Sequence, residues 1–169
     1  MALARRLVII IWWFLPGFAA ATGGETIETA SVIPELPYSD TGNTCGNIND
    51  YDEECPYTGS TAKDVVYVYT PIVDTIVDLD LCQSWYDTKI YVYADDTEHL
   101  IACNDDFWGC INGDHKSLIE SLYLSSGVNY YIVVDGWGTS CGDFVLDVRG
   151  EAPVPVAPVT WGRVKGTYR

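Results

Sequence analysis

The sequence predicts an all-β protein, a disulfide-stapled β-sandwich of about seven or eight short strands. Three observations carry this expectation. Several runs alternate apolar with polar residues, two others are β-branched or aromatic throughout, and the stretches between them are rich in Gly, Asn and Asp. Apolar residues make up 48% of the 169-residue chain, enough to bury a core, and six Cys supply the staples.

The chain opens with Arg5 and Arg6, an apolar run from Leu7 to Phe18, and then Ala19, Ala20 and Ala21. This is the pattern of a secretory leader cut after Ala21, so residues 1–21 are predicted to be removed and the protein to be secreted or displayed at a cell surface. A run of twelve residues at ~1.5 Å each gives ~18 Å of helix, short of a ~30 Å hydrocarbon core, so no stable membrane span is expected after removal.

Residues 22–150 are predicted to form the folded domain. Gly23 to Asn49 is lightly hydrophobic, and Asp50 to Lys63 is polar and turn-rich. Val65 to Tyr69 and Tyr130 to Val134 are apolar on both faces and predict central strands. Asp74 to Leu81 sets Thr75, Val77, Leu79 and Leu81 on one face. Thr88 to Ala94 separates Ile90 and Val92 from Lys89, Tyr91 and Tyr93, and Asp143 to Arg149 separates Phe144, Leu146 and Val148 from charged residues. These three predict half-buried strands with one wet face. Lys116 to Leu124 fits a helix through Leu118, Ile119 and Leu122 or a strand through Leu118, Glu120, Leu122 and Leu124; its strand neighbours and short length favour the strand. Pro153, Pro155 and Pro158 mark 151–159 as a stiff linker, and residues 160–169 form a tail with Arg163, Lys165, Arg169, Trp161 and Tyr168.

Cys45, Cys55, Cys82, Cys103, Cys110 and Cys141 all lie in the exported part, and an even count there implies three disulfides. Fifteen pairings are possible. Pairing Cys45 with Cys55 and Cys103 with Cys110 would close short polar segments and leave Cys82 to join Cys141. There is no C-x-x-C, and His99 and His115 are not at finger spacing, which argues against a zinc-thiolate site.

Charge narrows the function. Between residues 22 and 150 there are 23 acids against Lys63, Lys89, Lys116 and Arg149, a balance of −19 that excludes nucleic acid and anionic membranes as partners. The acids gather in turns: Asp50, Asp52, Glu53 and Glu54; Asp95, Asp96 and Glu98; and Asn104, Asp105, Asp106 and Asp114. Such oxygen-rich loops suit Ca²⁺, and they equally suit a solvated surface. The Asn104–Asp106 segment is the strongest metal candidate, since a Cys103–Cys110 bridge would pre-order it, and Asp87 would reach it if the flanking strands pair. Trp85, Trp108 and Trp137, with Tyr86, Phe107, Tyr91 and Tyr93, lie at turns or on the more polar strand faces. They could bind a polysaccharide or protein, or cap the core.

Catalytic readings find little support. Gly138 to Gly142 spells G-x-S-x-G, but a strand follows it, no His lies after His115, and Cys141 is expected to be oxidised. Carboxylate pairs are too abundant here to indicate a glycosidase.

Gly24-Glu25-Thr26 with Thr29-Ala30, Lys63-Asp64-Val65-Val66-Tyr67, Tyr86 to Tyr93, Asn104-Asp105-Asp106, and Tyr130 to Val134 followed by Gly142-Asp143-Phe144 together resemble the bacterial pre-peptidase C-terminal domain. The resemblance covers Gly24 to Gly150. It implies a jelly-roll-like, non-catalytic sandwich of secreted bacterial proteins, some of whose relatives bind calcium and an extracellular polymer. The three expected disulfides are not a general family feature.

Overall fold

The computed structural model describes residues 23–151. Nine strands form two sheets: β1 (Ser31–Val32), β2 (Tyr38–Asn43), β3 (Val65–Tyr69), β4 (Thr75–Asp80), β5 (Thr88–Ala94), β6 (Leu100–Asn104), β7 (Leu118–Leu124), β8 (Tyr130–Gly136) and β9 (Asp143–Glu151). One sheet runs β1-β3-β8-β5-β6 and the other β2-β9-β4-β7. Every pair is antiparallel except the short β1–β3 contact. The all-β sandwich expected from the sequence is therefore the fold. The leader predicted for residues 1–21 and the linker and tail predicted beyond Gly150 fall outside the described residues, apart from Glu151.

The shared core follows from alternation. Val65, Tyr67, Ile90, Val92, Ile132 and Val134 of the first sheet face Val77, Leu79, Leu124, Phe144, Leu146 and Val148 of the second. Burying each such side chain contributes roughly 1.5–3 kcal/mol. The strand reading of Lys116 to Leu124 holds, and its mixed periodicity has a structural cause. The β4–β7 register shifts between Val77 and Leu79, Ser121 takes φ 57°, and its N–H donates to Asp78 Oδ1 at 2.8 Å. The extra residue of this bulge lets Ile119 point inward and Leu122 pack against the core with Leu124, mimicking helical spacing.

Three strands, β2, β6 and the two-residue β1, lie in segments where the sequence predicted none. In β2 the half-buried positions are Tyr38, Asp40 and Gly42, so its alternation has little apolar content. β6 is an edge strand with no fully buried residue.

The expectation of a wet face on β5 is corrected. Lys89 and Tyr91 are fully buried and Tyr93 is 1% exposed. A strap, residues 44–64, folds over that face and makes a second apolar cluster of Cys55, Val66, Tyr91, Tyr93 and Val133. Lys89 Nζ donates to the carbonyls of Glu53 (2.6 Å) and Tyr57 (2.9 Å), Tyr93 OH donates to Glu53 Oε1 (2.7 Å), and Ser60 Oγ donates to the Gly136 carbonyl (2.9 Å). Asp64 Oδ2 accepts from the N–H groups of Asp50 and Tyr51.

All six Cys form disulfides, but each expected pairing is overturned: the bridges are Cys45–Cys141, Cys55–Cys103 and Cys82–Cys110. Strand pairing, not nearness along the chain, decides them. Asn43 lies opposite Asp143 in the β2–β9 ladder, so the same register carried two residues further brings Cys45 to Cys141. Cys55 ties the strap to edge strand β6, and Cys82, just past β4, ties the 105–117 loop to the second sheet. Loops of this length are worth ~3–5 kcal/mol each in the chain-entropy account.

Candidate functional site

β5 and β6 pair with Ile90 opposite Asn104, which sets the start of β5 beside the end of β6. Asp87 and Asp106 flank that rung, and the loop that begins at Asp105 returns to β7 through His115. A buried polar knot fixes this return. Ser117 Oγ donates to the Thr88 carbonyl (2.7 Å) and contacts the Asp105 carbonyl (2.9 Å), while Ser117 N–H donates to Thr88 Oγ1 (2.8 Å). Thr88 N–H bonds the His115 carbonyl and Phe107 N–H the Lys116 carbonyl.

The result is one compact donor set. One ligand atom each from Asp87, Asp106 and His115 lie within 4.8 Å of one another. His115 Nδ1 stands 3.4 Å from Asp106 Oδ1, and both side chains are open to solvent. Burial, then the neighbouring Asp106, raises the Asp87 carboxyl above its ordinary range, while His115 and Lys116 oppose the shift. Repulsion of this kind is what a bound cation relieves.

Asp106 also belongs to the wall of a groove of about 480 Å³, lined by Glu54, Cys55, Pro56 and Tyr57 of the strap and by Cys103 to Asp106. The Cys55–Cys103 bridge spans its two sides. Asp105 has one buried oxygen, Oδ1, with no hydrogen-bond partner, and burial together with Asp106 and Asp87 pushes its carboxyl up to about 6.

Of the metal residues read from the sequence, Asp87 and Asp106 meet as expected, through strand pairing and without a Cys103–Cys110 clamp. Asn104 is spent on the fold, its Oδ1 accepting from Leu118 N–H at 3.0 Å. Asp114 is exposed and stands outside the three-residue group. Asp50 and Asp52 lie in the strap; Asp52 accepts from Gly59 and Ser60 N–H groups and faces Lys89 Nζ at 3.9 Å. His115 was not anticipated, and its signal is positional: it closes the loop that Asn104 opens.

The aromatic candidates divide. Trp85 and Trp108 are 77% and 80% exposed. Trp137 is half-buried against the Tyr57 ring, with centroids 5.7 Å apart. Tyr86, Tyr91 and Tyr93 are buried, so they serve the fold and are closed to a ligand. Among the described residues no helix is long and apolar enough to cross a membrane.

No protein-family model matches the chain, and no curated protein matches it. Among solved structures it is similar to a Podospora anserina GH26-CBM35 β-(1,4)-mannanase, at 16% identity and a TM-score of 0.34, over 72% of this chain and 30% of that one. The chain thus spans less than a third of that enzyme's length.

Proposed function

We propose that this chain is a secreted, non-catalytic binding module of the pre-peptidase C-terminal kind. In this reading it holds Ca²⁺ between Asp87 and Asp106, and it presents the adjoining groove to an extracellular polysaccharide or protein. The observation that carries the reading is the convergence of Asp87, Asp106 and His115 at the edge of the Tyr57–Asp106 groove. Ca²⁺ takes six to eight oxygens at ~2.3–2.6 Å, of which two carboxylates supply up to four and carbonyls and water the rest. His115 is a poor calcium ligand, so the two carboxylates carry the site. Three disulfides and the absence of a free thiol among the described residues suit an oxidising, extracellular setting.

Extracellular sites bind calcium with Kd ~10⁻⁴–10⁻³ M, so 10 mM CaCl₂ is expected to add ~1.5–3 kcal/mol of stability. The melting temperature of the wild type should therefore gain several degrees more from calcium than that of Asp87→Asn/Asp106→Asn. Equal gains in the two proteins would remove this site from the account. ZnCl₂ in place of CaCl₂ tests the ion class, since the imidazole of His115 favours the softer metal.

A second reading rests on Trp85 and Trp108. Two largely exposed indoles on a secreted sandwich offer flat apolar faces for sugar rings, and the module would then grip carbohydrate with or without calcium.

A further inference from the structure

The strap wall of the groove is pinned from below at two points. Lys89 Nζ donates to the carbonyls of Glu53 (2.6 Å) and Tyr57 (2.9 Å), so Glu54, Cys55 and Pro56 are held between fixed ends. Asp52 closes the turn that follows, accepting from the Gly59 and Ser60 N–H groups. The Cys55–Cys103 bridge fastens the same wall to β6. A wall set in this way loses little freedom when a ligand enters, and the volume of about 480 Å³ falls within the ~300–1,000 Å³ of ordinary ligand sites.

The two sides differ in chemistry. The strap offers Pro56 and the Tyr57 ring, which is 63% exposed and backed by Trp137. The β6 side offers Asp105 and Asp106, Glu54 adds a third carboxylate, and the lining described contains no Lys, Arg or His. The sheet register explains why no cation reaches them. Val65 lies opposite Val134, so Asp64 falls opposite Asp135; Asp135 pairs with Lys89, and the Ile90–Asn104 rung sets Lys89 opposite Asp105. In this row of Asp64, Asp135, Lys89 and Asp105 the one lysine is fully buried, and its ammonium is taken by the strap carbonyls and by Asp52 at 3.9 Å. Each acid of the row keeps one buried oxygen without a hydrogen-bond partner, and Asp105 is the one that lines the groove. Its carboxyl is raised first by burial and then by Asp106 and Asp87. An uncharged ligand would desolvate these carboxylates and leave their repulsion standing, whereas a cation relieves it.

We propose that the groove receives an arginine side chain displayed by an extracellular protein, its guanidinium paired with Asp105 and Glu54 and its flat face laid on Tyr57. Guanidinium is the cation that fits both sides at once: it is planar, forks onto carboxylates, stacks on aromatic rings and gives up water more readily than an ammonium. The domain's balance of −19 over residues 22–150 draws such a ligand in. The inference rests on reading the groove as a binding surface, and it narrows the partner from a polysaccharide or protein to a protein that presents arginine. It does not need calcium, because Asp106 stays with Asp87 and His115 at the rim while Glu54 and Asp105 serve the groove.

The test is fluorescence anisotropy of a rhodamine-labelled Gly-Arg-Gly-Arg-Gly peptide on the full chain, with a second peptide in which citrulline, the uncharged isostere, replaces both arginines. Work at about 0.15 M NaCl screens attraction beyond ~8 Å, so the general acidity of the domain contributes little. The wild type should bind the arginine peptide at least tenfold more tightly than the citrulline peptide. Glu54→Gln/Asp105→Asn should lose at least tenfold in affinity for the arginine peptide, and Tyr57→Ala about threefold. Glu98→Gln/Glu120→Gln removes the same charge from exposed positions away from the groove and should bind as the wild type does. Near-ultraviolet circular dichroism checks folding, and should Glu54→Gln/Asp105→Asn not fold, Glu54→Gln/Tyr57→Ala takes its place with the same expectation. Equal affinity for the two peptides overturns the proposal, as do equal losses in the groove and control variants. A wild type that ignores the peptide but is held on an insoluble polysaccharide through Glu54 and Asp105 gives the groove to carbohydrate and overturns it too. The calcium shift in melting temperature reports separately on the rim site, so its absence beside intact peptide binding counts against calcium and not against the groove.

Discussion

In the five-stranded sheet, Lys89, Tyr91 and Tyr93 of β5 are as buried as Ile90 and Val92 between them. In the four-stranded sheet, Ile76, Glu120, Tyr123 and Arg149 stand on an outer face that nothing among the described residues covers. Both sheets have the same inward row of Val, Leu, Ile and aromatic side chains. The difference lies in residues 44–64, which pass over one outer face and leave the other wet. A covered face cannot use water to solvate its polar groups, so each must find a partner or bind one. That is why the orphaned carboxylates and the buried lysine occur in the first sheet, while Asp74, Asp78 and Asp80 of the second accept ordinary bonds from Tyr123, Ser121 and Arg149.

The strongest way to break this contrast is a matched pair of truncations on the two outer faces. Tyr91→Ala removes a fully buried ring, its hydrogen bond to Asp135 and its contact with the Lys89 ammonium, 5.2 Å from the ring centroid. It is expected to cost ~3–5 kcal/mol. Ile76→Ala, at a position 42% exposed, should cost under ~0.5 kcal/mol. Chemical denaturation measures both. Similar losses at the two positions would mean that the strap does not stay down in solution.

A smaller effect sharpens the same contrast through pH. Burial is the first cause that pushes Asp64 up to about 7 and Asp135 up to about 6; for Asp64 the charges of Asp135 and Asp50 add to it, and for Asp135 Lys89 opposes it. In the unfolded chain both return to ~3.9. The folded protein thus holds protons that the unfolded chain releases. The resulting stabilisation is complete below about pH 4 and is lost as pH rises through 6 to 7. In EDTA, the melting temperature should therefore fall between pH 5 and pH 8, by roughly 5–10 °C for ~2 kcal/mol. Asp135→Asn should remove part of that slope. A melting temperature that rises over this interval would show that the row is not the dominant titrating element.

What could be read from the sequence and what could not divide along the same line. β3 and β5 were legible to the residue, because a run such as Val65-Val66-Tyr67-Val68-Tyr69 has no other stable use. The outer burial of β5 was not, since Lys89, Tyr91 and Tyr93 look polar until a segment some thirty residues earlier covers them. The meeting of Asp87 with Asp106 was legible from one strand pairing, whereas the row of Asp64, Asp135, Lys89 and Asp105 needs the registers of four strands. Disulfide pairing failed for the same reason. Cys45 and Cys55 are near in sequence, but the ladder of β2 and β9 brings Cys45 to Cys141.

The smallest expected effect on stability belongs to the residues with the most to say about a partner. Trp85 and Trp108 are 77% and 80% exposed and make no ring contact among the described residues, so truncating either to Ala should change stability by less than ~0.5 kcal/mol. Exposed indoles that cost nothing to remove are not held by the fold. If they are held by a ligand, retention on insoluble polysaccharide should drop at least tenfold in Trp85→Ala/Trp108→Ala, about 1.4 kcal/mol of binding, while the melting temperature stays put. Trp137→Ala provides the contrast, because its ring packs on Tyr57 and its loss should lower stability as well as loosen the groove wall. A double variant that binds every polymer as the wild type does would end the indole reading. Binding would then be left to the groove beside Asp106, where the covered sheet reaches the surface.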